Sequence, residues 1–529
     1  MTPASTPSTR SHWPVWLGLL LAALAGLAWW WSAGRPVELP DAPSARIACV
    51  SYAPYRHEGQ TPYDPATFIA PQQIDADLKA LSRRFDCVRT YSQGQGLDAV
   101  PAIAGLYGMK VLMGVWIGRD AAANAREIAL ATATARAHPE VLRGVIVGNE
   151  VLLRGEQSSA ALAGYLRQAR AALPPAVPIT YADVWEFWLR HPELAGSVDY
   201  ITVHVLPYWE DDPVPPARAV QHVAEVYARV RAAFPGKPVM IGETGWPSAG
   251  RPRQGATASL VNEARYLREF LRYAATVQMP YNVIEAFDQG WKRAQEGTVG
   301  GYWGIFDAQA QPKFPMQGPV TEVPRWWLGW LAAALAGVLF VVVGRPRGRR
   351  AAVALMLAGI ASGAALAWQV RQMLYACGPL WEWLLSGAAC AAALVTALML
   401  ARALAAVVQG VTVAPPSRRW RFGWLFVLAY YGLLLVFDGR YRDFPLGLFA
   451  LPAVGYALVA LAGVEPVGAR RREEAFLAVV VSLLAAIVLA QERGISPVAW
   501  LWLGLNVLPG LAVLLPSRRS AHQQHGADQ

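Results

Sequence analysis

Apolar and polar residues follow two different patterns along this chain. Between residues 36 and 324, short apolar runs are separated by longer stretches in which apolar positions recur at helical spacing. This order is typical of repeated strand–helix units. The predicted strands cover residues 46–52, 87–91, 110–116, 144–147, 179–182, 200–205, 238–241 and 281–286. Helices are predicted between them, for example over residues 72–85, 121–137, 158–172, 217–234 and 258–276.

Eight strands in about 280 residues fit a (β/α)8 barrel, whose usual length is about 250 residues. Several of these strands are almost entirely apolar, as parallel strands buried on both faces require. An open doubly wound sheet is the rival fold, but no glycine-rich phosphate-binding sequence follows the first strand. The predicted fold class is therefore α/β, with a (β/α)8 TIM barrel over residues 46–318 and an all-α region that crosses a membrane several times.

The second pattern consists of apolar runs long enough to cross a membrane, which takes about 20 residues. The first run resembles a signal peptide because Arg10 precedes it. However, it ends in Trp29, Trp30 and Trp31, where cleavage requires small residues, so we expect an uncleaved anchor. The eight runs cover residues 13–31, 326–343, 351–370, 380–401, 420–437, 444–464, 475–491 and 495–515.

Arginines between these runs predict the orientation, because loops on the cytoplasmic side carry the excess of positive charge. Alternate loops are rich in arginine, namely those with Arg345, Arg347, Arg349 and Arg350, with Arg402, Arg418, Arg419 and Arg421, with Arg470, Arg471 and Arg472, and with Arg518 and Arg519. The loops between them hold only Arg371, Arg440, Arg442 and Arg493. We therefore predict residues 1–35 as a cytoplasmic tail and anchor, 36–325 as an outward-facing barrel domain, 326–516 as seven membrane helices and 517–529 as a cytoplasmic tail.

The composition fits this division. Of 529 residues, 54% are hydrophobic and only 16% are charged, against about 25% charged in a typical soluble domain. The formal net charge of +10 resides in the helical region, where residues 326–529 hold 17 arginines and 8 acidic side chains. Residues 1–325 are nearly neutral, with 30 basic and 29 acidic side chains. The expected partner is therefore a lipid bilayer and not a nucleic acid.

Cysteines add little to the prediction. Cys49 and Cys87 lie in predicted strands of the outward domain, where a disulfide and two buried free thiols are both compatible with the pattern. No spacing of Cys and His resembles a zinc site. We expect neither a metal ion nor a cofactor.

Candidate chemistry lies just beyond the carboxyl ends of the strands, where barrels of this kind carry their active residues. Two similar segments each lead from an apolar strand through a glycine to a glutamate, Glu150 and Glu243. Aromatic rings stack on sugar rings, and polar groups bind sugar hydroxyls, so the rim predicts a carbohydrate cleft. The candidate substrate-binding residues are Arg89, Tyr91, Asn149, Asp183, His204, Tyr208, Trp246, Asp288, Trp291 and Lys292. Tyr208 and Trp291 fit the barrel core equally well.

Hydrolysis of a glycosidic bond commonly uses two carboxyl groups that flank the anomeric carbon. One is protonated and releases the leaving oxygen, while the other is ionised, so their surroundings must separate their pKa values. Glu150 and Glu243 are the candidates for this pair. Asp183, Glu186 and Asp288 are rivals at the same rim, and we expect them to bind sugar instead.

Two motifs resemble those of a known family. Gly-Asn-Glu at 148–150 and Gly-Glu-Thr-Gly-Trp-Pro-Ser at 242–248 are similar to the signatures of glycoside hydrolase family 17, the β-1,3-glucanases, as are Val-Arg-Thr-Tyr-Ser at 88–92 and Gly-Ile-Phe-Asp at 304–307. The resemblance covers residues 46–318 and implies a retaining mechanism with Glu150 as acid/base and Glu243 as nucleophile. Plant members carry an asparagine-rich sixth strand and Phe-Asn-Glu after the eighth, where this chain has His204 and Phe287-Asp288-Gln289. The linkage specificity of the plant enzymes is therefore not carried over.

The helical region is similar to that of bacterial membrane proteins of this family named β-(1→6)-glucan synthases. This resemblance implies the bacterial inner membrane, a periplasmic barrel, a β-glucan substrate and a neighbouring membrane glucan synthase as partner. Water would give hydrolysis of the glycosyl-enzyme, and a sugar hydroxyl would give transfer.

Two alternatives stay open at this point. One is a glycan exporter or synthase complex in which the barrel only binds, and the other is a catalytically inactive glycan-binding domain. The apolar runs contain few charges, with Glu382 the main exception, and this argues against a transport pathway.

Overall fold

A computed structural model describes residues 12–411, 416–464, 466 and 471–514 of the chain. The chain divides into two compact units. Residues Val37–Val320 form one unit, and the residues before and after them form the other. Each unit is described separately below.

Seven parallel strands form a curled sheet in the unit Val37–Val320, and they are ordered in the sheet as they are in the chain. This sheet contains β2 to β8, and the short strands β1 and β9 lie at the two ends of the unit. The strands are β1 (Pro36–Val37), β2 (Val50–Ser51), β3 (Cys87–Arg89), β4 (Lys110–Val115), β5 (Leu142–Asn149), β6 (Ile179–Val184), β7 (Ile201–His204), β8 (Val239–Glu243) and β9 (Val320–Thr321).

The predicted eighth barrel strand is irregular but still closes the ring. Its backbone hydrogen-bonds to β2 and β8, the two edge strands of the seven-stranded sheet. Ser51 N in β2 donates to Val283 O at 2.9 Å, and Asn282 N donates to Ile241 O in β8 at 2.9 Å. The side chain of Asn282 replaces regular ladder bonds, with Nδ2 donating to Ser51 Oγ and to Gly242 O, each at 2.8 Å. The predicted (β/α)8 barrel is confirmed, with an eighth strand made of single bridges rather than a continuous ladder.

Helices surround the sheet because each connection carries an apolar stripe at helical spacing. Asp120 caps α4, accepting from Ala122 N at 2.8 Å, and Ser158 caps α5. The helices of this unit are α2 (Pro71–Leu81), α3 (Val100–Leu106), α4 (Ala121–Ala137), α5 (Ser159–Ala172), α6 (Trp185–Arg190), α7 (Pro216–Ala233), α8 (Leu260–Val277) and α9 (Arg293–Gly300). The bounds of α2, α4, α5, α7 and α8 lie within a few residues of the five helices whose ranges were predicted.

Alternate strand residues point into the barrel and fill it. One such group contains Leu112, Ile146, Ala182 and Met240, all nearly inaccessible to solvent. Cys49 and Cys87 belong to the same group and are joined by a disulfide. The question that the sequence left open is thereby answered for these two cysteines.

The second unit contains a helix at each predicted membrane run. Among the described residues, six helices are long and apolar enough to cross a membrane, namely α1 (Trp13–Ala33), α10 (Trp327–Gly344), α11 (Arg349–Ala376), α12 (Leu380–Val408), α13 (Arg418–Phe437) and α15 (Arg471–Gln491). The remaining two, α14 (Leu446–Leu461) and α16 (Pro497–Leu514), have shorter apolar stretches. The eight crossings and their orientation therefore stay predictions. Arg470, Arg518, Arg519 and the predicted tail 517–529 lie outside the described residues.

Apolar side chains from five of these helices surround a cavity of about 470 Å³. Small residues of α1, α11, α12, α14 and α16 line it, including Ala25, Gly26, Ala361 and Gly504. Trp30 fixes α1 against α11 by donating its Nε1 proton to Ala364 O at 3.0 Å. The lining of this cavity is therefore mostly apolar and offers few polar groups to a sugar.

Candidate active site

The carboxyl ends of the strands bring five of the predicted rim residues together. Arg89 ends β3, Asn149 ends β5, His204 ends β7 and Glu243 ends β8, while Glu150 follows β5 directly. Parallel strands of a barrel all end at the same mouth, so residues far apart in sequence converge there. Arg89 and Glu243, 154 positions apart, are in direct contact.

A sharp turn presents Glu150 at this mouth. Gly148 has a φ of +85°, and a Cβ added there would lie 2.8 Å from Cγ2 of Val151. Glu150 itself has a φ of +52°. This left-handed region favours glycine because other residues meet their own Cβ there. The glycine before Asn149 is therefore needed to bend the backbone so that Glu150 leaves the strand toward the cleft.

The two glutamates lie close enough to act on one bond. Single oxygens of Glu150 and Glu243 and a ring nitrogen of His204 all lie within 4.8 Å of one another. The Glu150 side chain is 24% exposed, while that of Glu243 is 6% exposed. Carboxyl groups about 5–5.5 Å apart are typical of retaining glycosidases, and inverting enzymes separate them by about 6.5–9.5 Å. The spacing here fits the retaining arrangement.

Arg89 and Tyr91 both donate hydrogen bonds to Glu243. Arg89 Nη1 donates to Glu243 Oε1 at 3.0 Å and to Gly242 O at 2.8 Å, and its Nη2 donates to Asn149 Oδ1. The Tyr91 hydroxyl donates to the same Glu243 oxygen at 2.8 Å. Burial and the charge of Glu243 raise the pKa of Tyr91, so the phenol keeps its proton for this bond. Two donors thus orient one oxygen of Glu243.

His204 lies between the two glutamates. Its Nδ1 is 2.9 Å from Glu150 Oε1, and its Nε2 is 3.7 Å from Glu243 Oε1. Burial raises the pKa of Glu150, but the hydrogen bond and charge of His204, followed by Arg154 and Arg89, outweigh burial and lower it. We had expected the acid of the pair to be held protonated by its surroundings. In the structure, the contact with His204 favours the carboxylate instead.

A second buried ion pair faces the same cleft. Lys292 Nζ donates to both carboxylate oxygens of Glu285, at 2.9 and 2.8 Å. Burial raises the pKa of Glu285 to about 7 even with this lysine present. Burial also raises the pKa of Glu296, with Glu150 and Glu243 adding to the effect. Lys292 was predicted, whereas Glu285 and Glu296 were missed. The sequence could have identified Glu285, because it is an acidic residue near the end of a predicted strand. No sequence pattern pointed to Glu296, which lies on α9.

Four residues predicted to contact substrate are buried in the structure. Asp183 is inaccessible to solvent and accepts from the hydroxyl of Tyr181 and from Leu152 N. Asp288 is buried against Lys313 at 2.9 Å. Burial raises the pKa of each aspartate to about 6. Two aromatic rings are also fully enclosed and donate to backbone oxygens, Tyr208 to Arg251 O and Trp246 to Thr257 O. These four side chains are held by other groups of the protein, and their contact with a sugar stays a prediction.

The remaining predicted residues divide into two groups. Arg89 and His204 are also buried, and they contact the catalytic candidates rather than the open cleft. Asn149 is buried as well, and its side-chain oxygen accepts from Arg89. Three residues have part of their surface accessible, namely Tyr91, Trp291 and Lys292. Trp291 lies edge-on to Tyr63, with ring centres 5.4 Å apart, so two aromatic rings border one side of the cleft.

The same three side chains at the mouth also satisfy the spacing of metal ligands. However, the guanidinium of Arg89 already lies 3.0 Å from Glu243 Oε1, and it would repel a metal cation held there. The expectation that this site uses neither metal nor cofactor stays a prediction.

Comparisons with known proteins follow the same division of the chain. Residues 49–304 match the family model described as the BtgE/BtgC glycoside hydrolase domain. A protein of Aspergillus clavatus named probable β-glucosidase btgE is 27% identical over 277 residues, which cover 51% of this chain and 47% of that protein. A glucan 1,3-β-glucosidase of Arthroderma benhamiae is 27% identical over 262 residues, covering 46% of this chain and 83% of the relative. The match thus spans about half the length of the Aspergillus relative.

A solved structure covers the same half of the chain. The glycoside hydrolase family 17 β-1,3-glucanosyltransferase from Rhizomucor miehei is 25% identical, with a TM-score of 0.45, and the match covers 51% of this chain and 97% of that one. The helical unit accounts for much of the chain that these matches leave uncovered.

Proposed function

We propose that this protein is a retaining enzyme that acts on β-1,3-glucan, since residues 49–304 match the family model of a glycoside hydrolase domain. The observation that carries the proposal is the pair of rim glutamates whose oxygens lie within 4.8 Å of one another. A relative named glucan 1,3-β-glucosidase supports this substrate class. The proposed products arise by hydrolysis, by transfer that forms β-1,6 linkages, or by both.

The proposed reaction has two steps. In the first, an oxygen of Glu243 attacks the anomeric carbon while Glu150 gives a proton to the leaving oxygen, and a glycosyl-enzyme forms. In the second, water or a sugar hydroxyl loses its proton to Glu150 and displaces Glu243. Arg89 and Tyr91, which donate to Glu243 Oε1, keep the nucleophile oriented.

An exposed ring near the mouth supports transfer beside hydrolysis. Trp116 directly follows β4, is 39% exposed, and has the guanidinium of Arg154 4.2 Å above its ring. Arg154 also donates to the backbone oxygen of Asn149, the residue before Glu150. A sugar stacked on Trp116 would place a hydroxyl close to Glu150, where it competes with water for the glycosyl-enzyme.

Substitution of the two glutamates tests the proposal. In the full-length protein, Glu243→Gln should abolish cleavage and transfer of laminari-oligosaccharides, because an amide does not attack as a carboxylate does. Glu150→Ala should slow both steps, and azide should restore turnover of a substrate with a good leaving group and yield the β-azide. The same rescue should be absent from Glu243→Ala, where azide enters at best from the opposite face and gives the α-anomer.

Glu140→Gln is the matched control, because Glu140 is exposed and precedes the same strand, β5, at the opposite end of the barrel. It should leave turnover unchanged. If Glu243→Gln and Glu150→Ala both turned over β-glucan like the native protein, the assignment of the pair would be wrong. If the native protein bound glucan without cleaving or transferring it, the domain would be a binding module.

We further propose that the barrel lies on the periplasmic face of a bacterial inner membrane, with both termini in the cytoplasm and a membrane glucan synthase as neighbour. The support is the alternation of arginine-rich loops between the helices. A reporter active only in the cytoplasm should be silent when fused after Ala308 and active when fused after Arg519. The reverse result would overturn the orientation.

A further inference from the structure

We propose that His204 and Glu150 together hold the proton that the reaction transfers, so that His204 sets the pH range in which the cleft works. This inference rests on the proposed function and concerns a residue that departs from the asparagine-rich sixth strand of plant members. His204 acts through Glu150 and touches no substrate, since its side chain is inaccessible. It is therefore a positioning residue.

The contacts of the ring allow it to hold two protons. Nδ1 lies 2.9 Å from Glu150 Oε1, a hydrogen bond along which a proton can move in either direction. Nε2 lies 3.7 Å from Glu243 Oε1 and 3.4 Å from Arg89 Nη1. A protonated Nε2 is thus attracted by the carboxylate of Glu243, and an unprotonated Nε2 accepts from Arg89. Both states of this nitrogen have a partner.

Two forms of the pair contain the same number of protons. In one, an imidazolium faces a Glu150 carboxylate, and in the other, a neutral imidazole accepts from a Glu150 carboxylic acid. A shift of one proton along the Nδ1–Oε1 bond interconverts them without any exchange with solvent. The contact with His204 lowers the pKa of Glu150. The carboxylic acid form supplies the proton to the leaving oxygen.

Neighbouring charges on every side act on this equilibrium. Arg154 and Arg89 favour the carboxylate of Glu150. Asp183, in β6, is close enough for its charge to interact with both Glu150 and His204. Glu243 attracts the imidazolium from β8. Beyond them, Lys292 neutralises Glu285, and Glu296 adds negative charge from α9. Since acidic groups surround the imidazole, the pair retains its proton more easily than Glu150 alone would.

The proton is conserved over the two steps. When the Glu243 oxygen bonds to the anomeric carbon and the glycosidic bond breaks, the proton leaves the pair for the departing oxygen. Glu150 is then a carboxylate beside a neutral imidazole. When the acceptor oxygen bonds to the anomeric carbon and the Glu243 ester breaks, the acceptor proton returns to the pair. Glu243 carries no charge while it is esterified, so an imidazolium formed when the pair takes up this proton has no counterion at Glu243 until the ester breaks.

His204→Asn tests this role, because the amide nitrogen can take the position of Nδ1 and still donate to Glu150 but cannot store the proton. The profile of kcat against pH on laminari-oligosaccharides should lose activity at a lower pH in the variant, by about one pH unit or more. At the acid end, the variant should retain activity within about tenfold of native. A uniform loss at every pH would assign His204 a purely structural role and overturn the inference.

His222→Asn is the matched control. His222 Nε2 lies 2.9 Å from Glu210 Oε1 in a similar, partly exposed pair outside the catalytic cluster. This substitution should leave the pH profile unchanged. A shift of equal size would show that the effect is not specific to His204.

A second measurement separates this inference from the proposed function. The side-chain nitrogen resonances of His204 should report a doubly protonated ring to a higher pH in the native protein than in Glu150→Gln, even if no glucan is turned over. If native protein were active but its His204 titrated identically in Glu150→Gln, proton sharing would be excluded while the glucanase assignment stood. If the protein were inactive on glucan and the resonances still differed, only the function would fail.

Discussion

Both units bury arginine against glutamate, and the surroundings of the two contacts differ. In the helical unit, Glu474 is inaccessible and accepts from Arg418 Nη1 at 2.9 Å and from Arg421 Nη2 at 2.7 Å. Arg421 Nε also donates to its other oxygen at 3.1 Å. In the barrel, Glu243 has one arginine, and a second carboxylate lies beside it. The Glu474 carboxylate is stabilised by two guanidinium groups. The Glu243 carboxylate has one guanidinium and a second carboxylate beside it, which is the arrangement of a catalytic pair.

The difference extends beyond these two contacts. Carboxylates of the barrel collect around the cleft, where Glu150, Glu243, Glu285 and Glu296 influence one another. The helical unit instead surrounds its cavity with apolar side chains. Buried charge in a protein is costly unless it is paired. The crowding of acids at one mouth is therefore a better guide to function than the presence of a buried ion pair.

The largest expected effect comes from removing the single arginine of the barrel contact. Arg89→Met takes a donor from Glu243 and leaves Asn149 without its partner, so kcat/KM on laminari-oligosaccharides should fall on the order of 10²–10³-fold. Arg89→Lys keeps the charge but loses the planar fork, and its loss should be intermediate. Arg421→Met makes the same change in the helical unit and should leave turnover unchanged. Equal losses in both arginine-to-methionine variants would remove the distinction between the two contacts.

Sequence patterns located most of this architecture because its signals are local. Apolar runs predicted the strands and the long apolar helices, and each of these two strands led through a glycine to a glutamate at the mouth. The sequence did not predict that the eighth strand is irregular. Its form depends on the side chain of Asn282, which donates to Ser51, 231 residues away in sequence, and to Gly242, 40 residues away. Pairing of Cys49 with Cys87 likewise required their neighbouring strands to be placed.

Burial at the rim was the hardest property to infer. Asp183 and Tyr208 occupy strand ends as predicted, but the hydroxyl of Tyr181 and the backbone of Arg251 enclose them. Position along a strand decides which end of the barrel a residue occupies, and only the packing of distant segments decides whether a ligand reaches it. The contact between His204 and Glu150, 54 residues apart, was hidden for the same reason.

An intermediate effect is expected for the helical contact. Glu474→Gln removes the carboxylate charge that pairs with Arg418 and Arg421, and loss of one partner from a buried ion pair costs about 3–5 kcal/mol. Unfolding of the full chain in detergent, followed by resistance to proteolysis, should show this loss, with unchanged turnover of glucan below the unfolding transition. Glu473→Gln, at the exposed neighbouring position, is the control and should be silent. Stability equal to native in Glu474→Gln would mean that the cluster contributes nothing to the helical unit.

The smallest expected effect concerns the pH dependence of barrel stability. Glu263 on α8 is buried 3.1 Å from Lys313, which also contacts Asp288 at 2.9 Å. Burial raises the pKa of Glu263 to about 8, above the value of about 4.3 for an unfolded chain. The native state therefore binds this proton more tightly, so its contribution is present in full below the unfolded value and is lost as the pH rises through about 8. Burial likewise raises the pKa of Asp288, to about 6, in the same direction.

Glu263→Gln removes the larger of these two contributions while leaving Lys313 its bonds to Asp288 and to Ser248 Oγ. The melting temperature of the barrel should then fall less between about pH 5 and about pH 8 than it does in the native protein. Calorimetry of the full chain measures this melting temperature. The transition of the barrel is the one that moves to a higher temperature when laminari-oligosaccharides are added to the Glu243→Gln variant, which binds them without turnover. Glu225→Gln, on the exposed face of α7, should reproduce the native slope. If the melting temperature of Glu263→Gln fell with pH as steeply as that of the native protein, this buried acid would not govern how barrel stability depends on pH. The responsible titrating groups would then lie at the cleft.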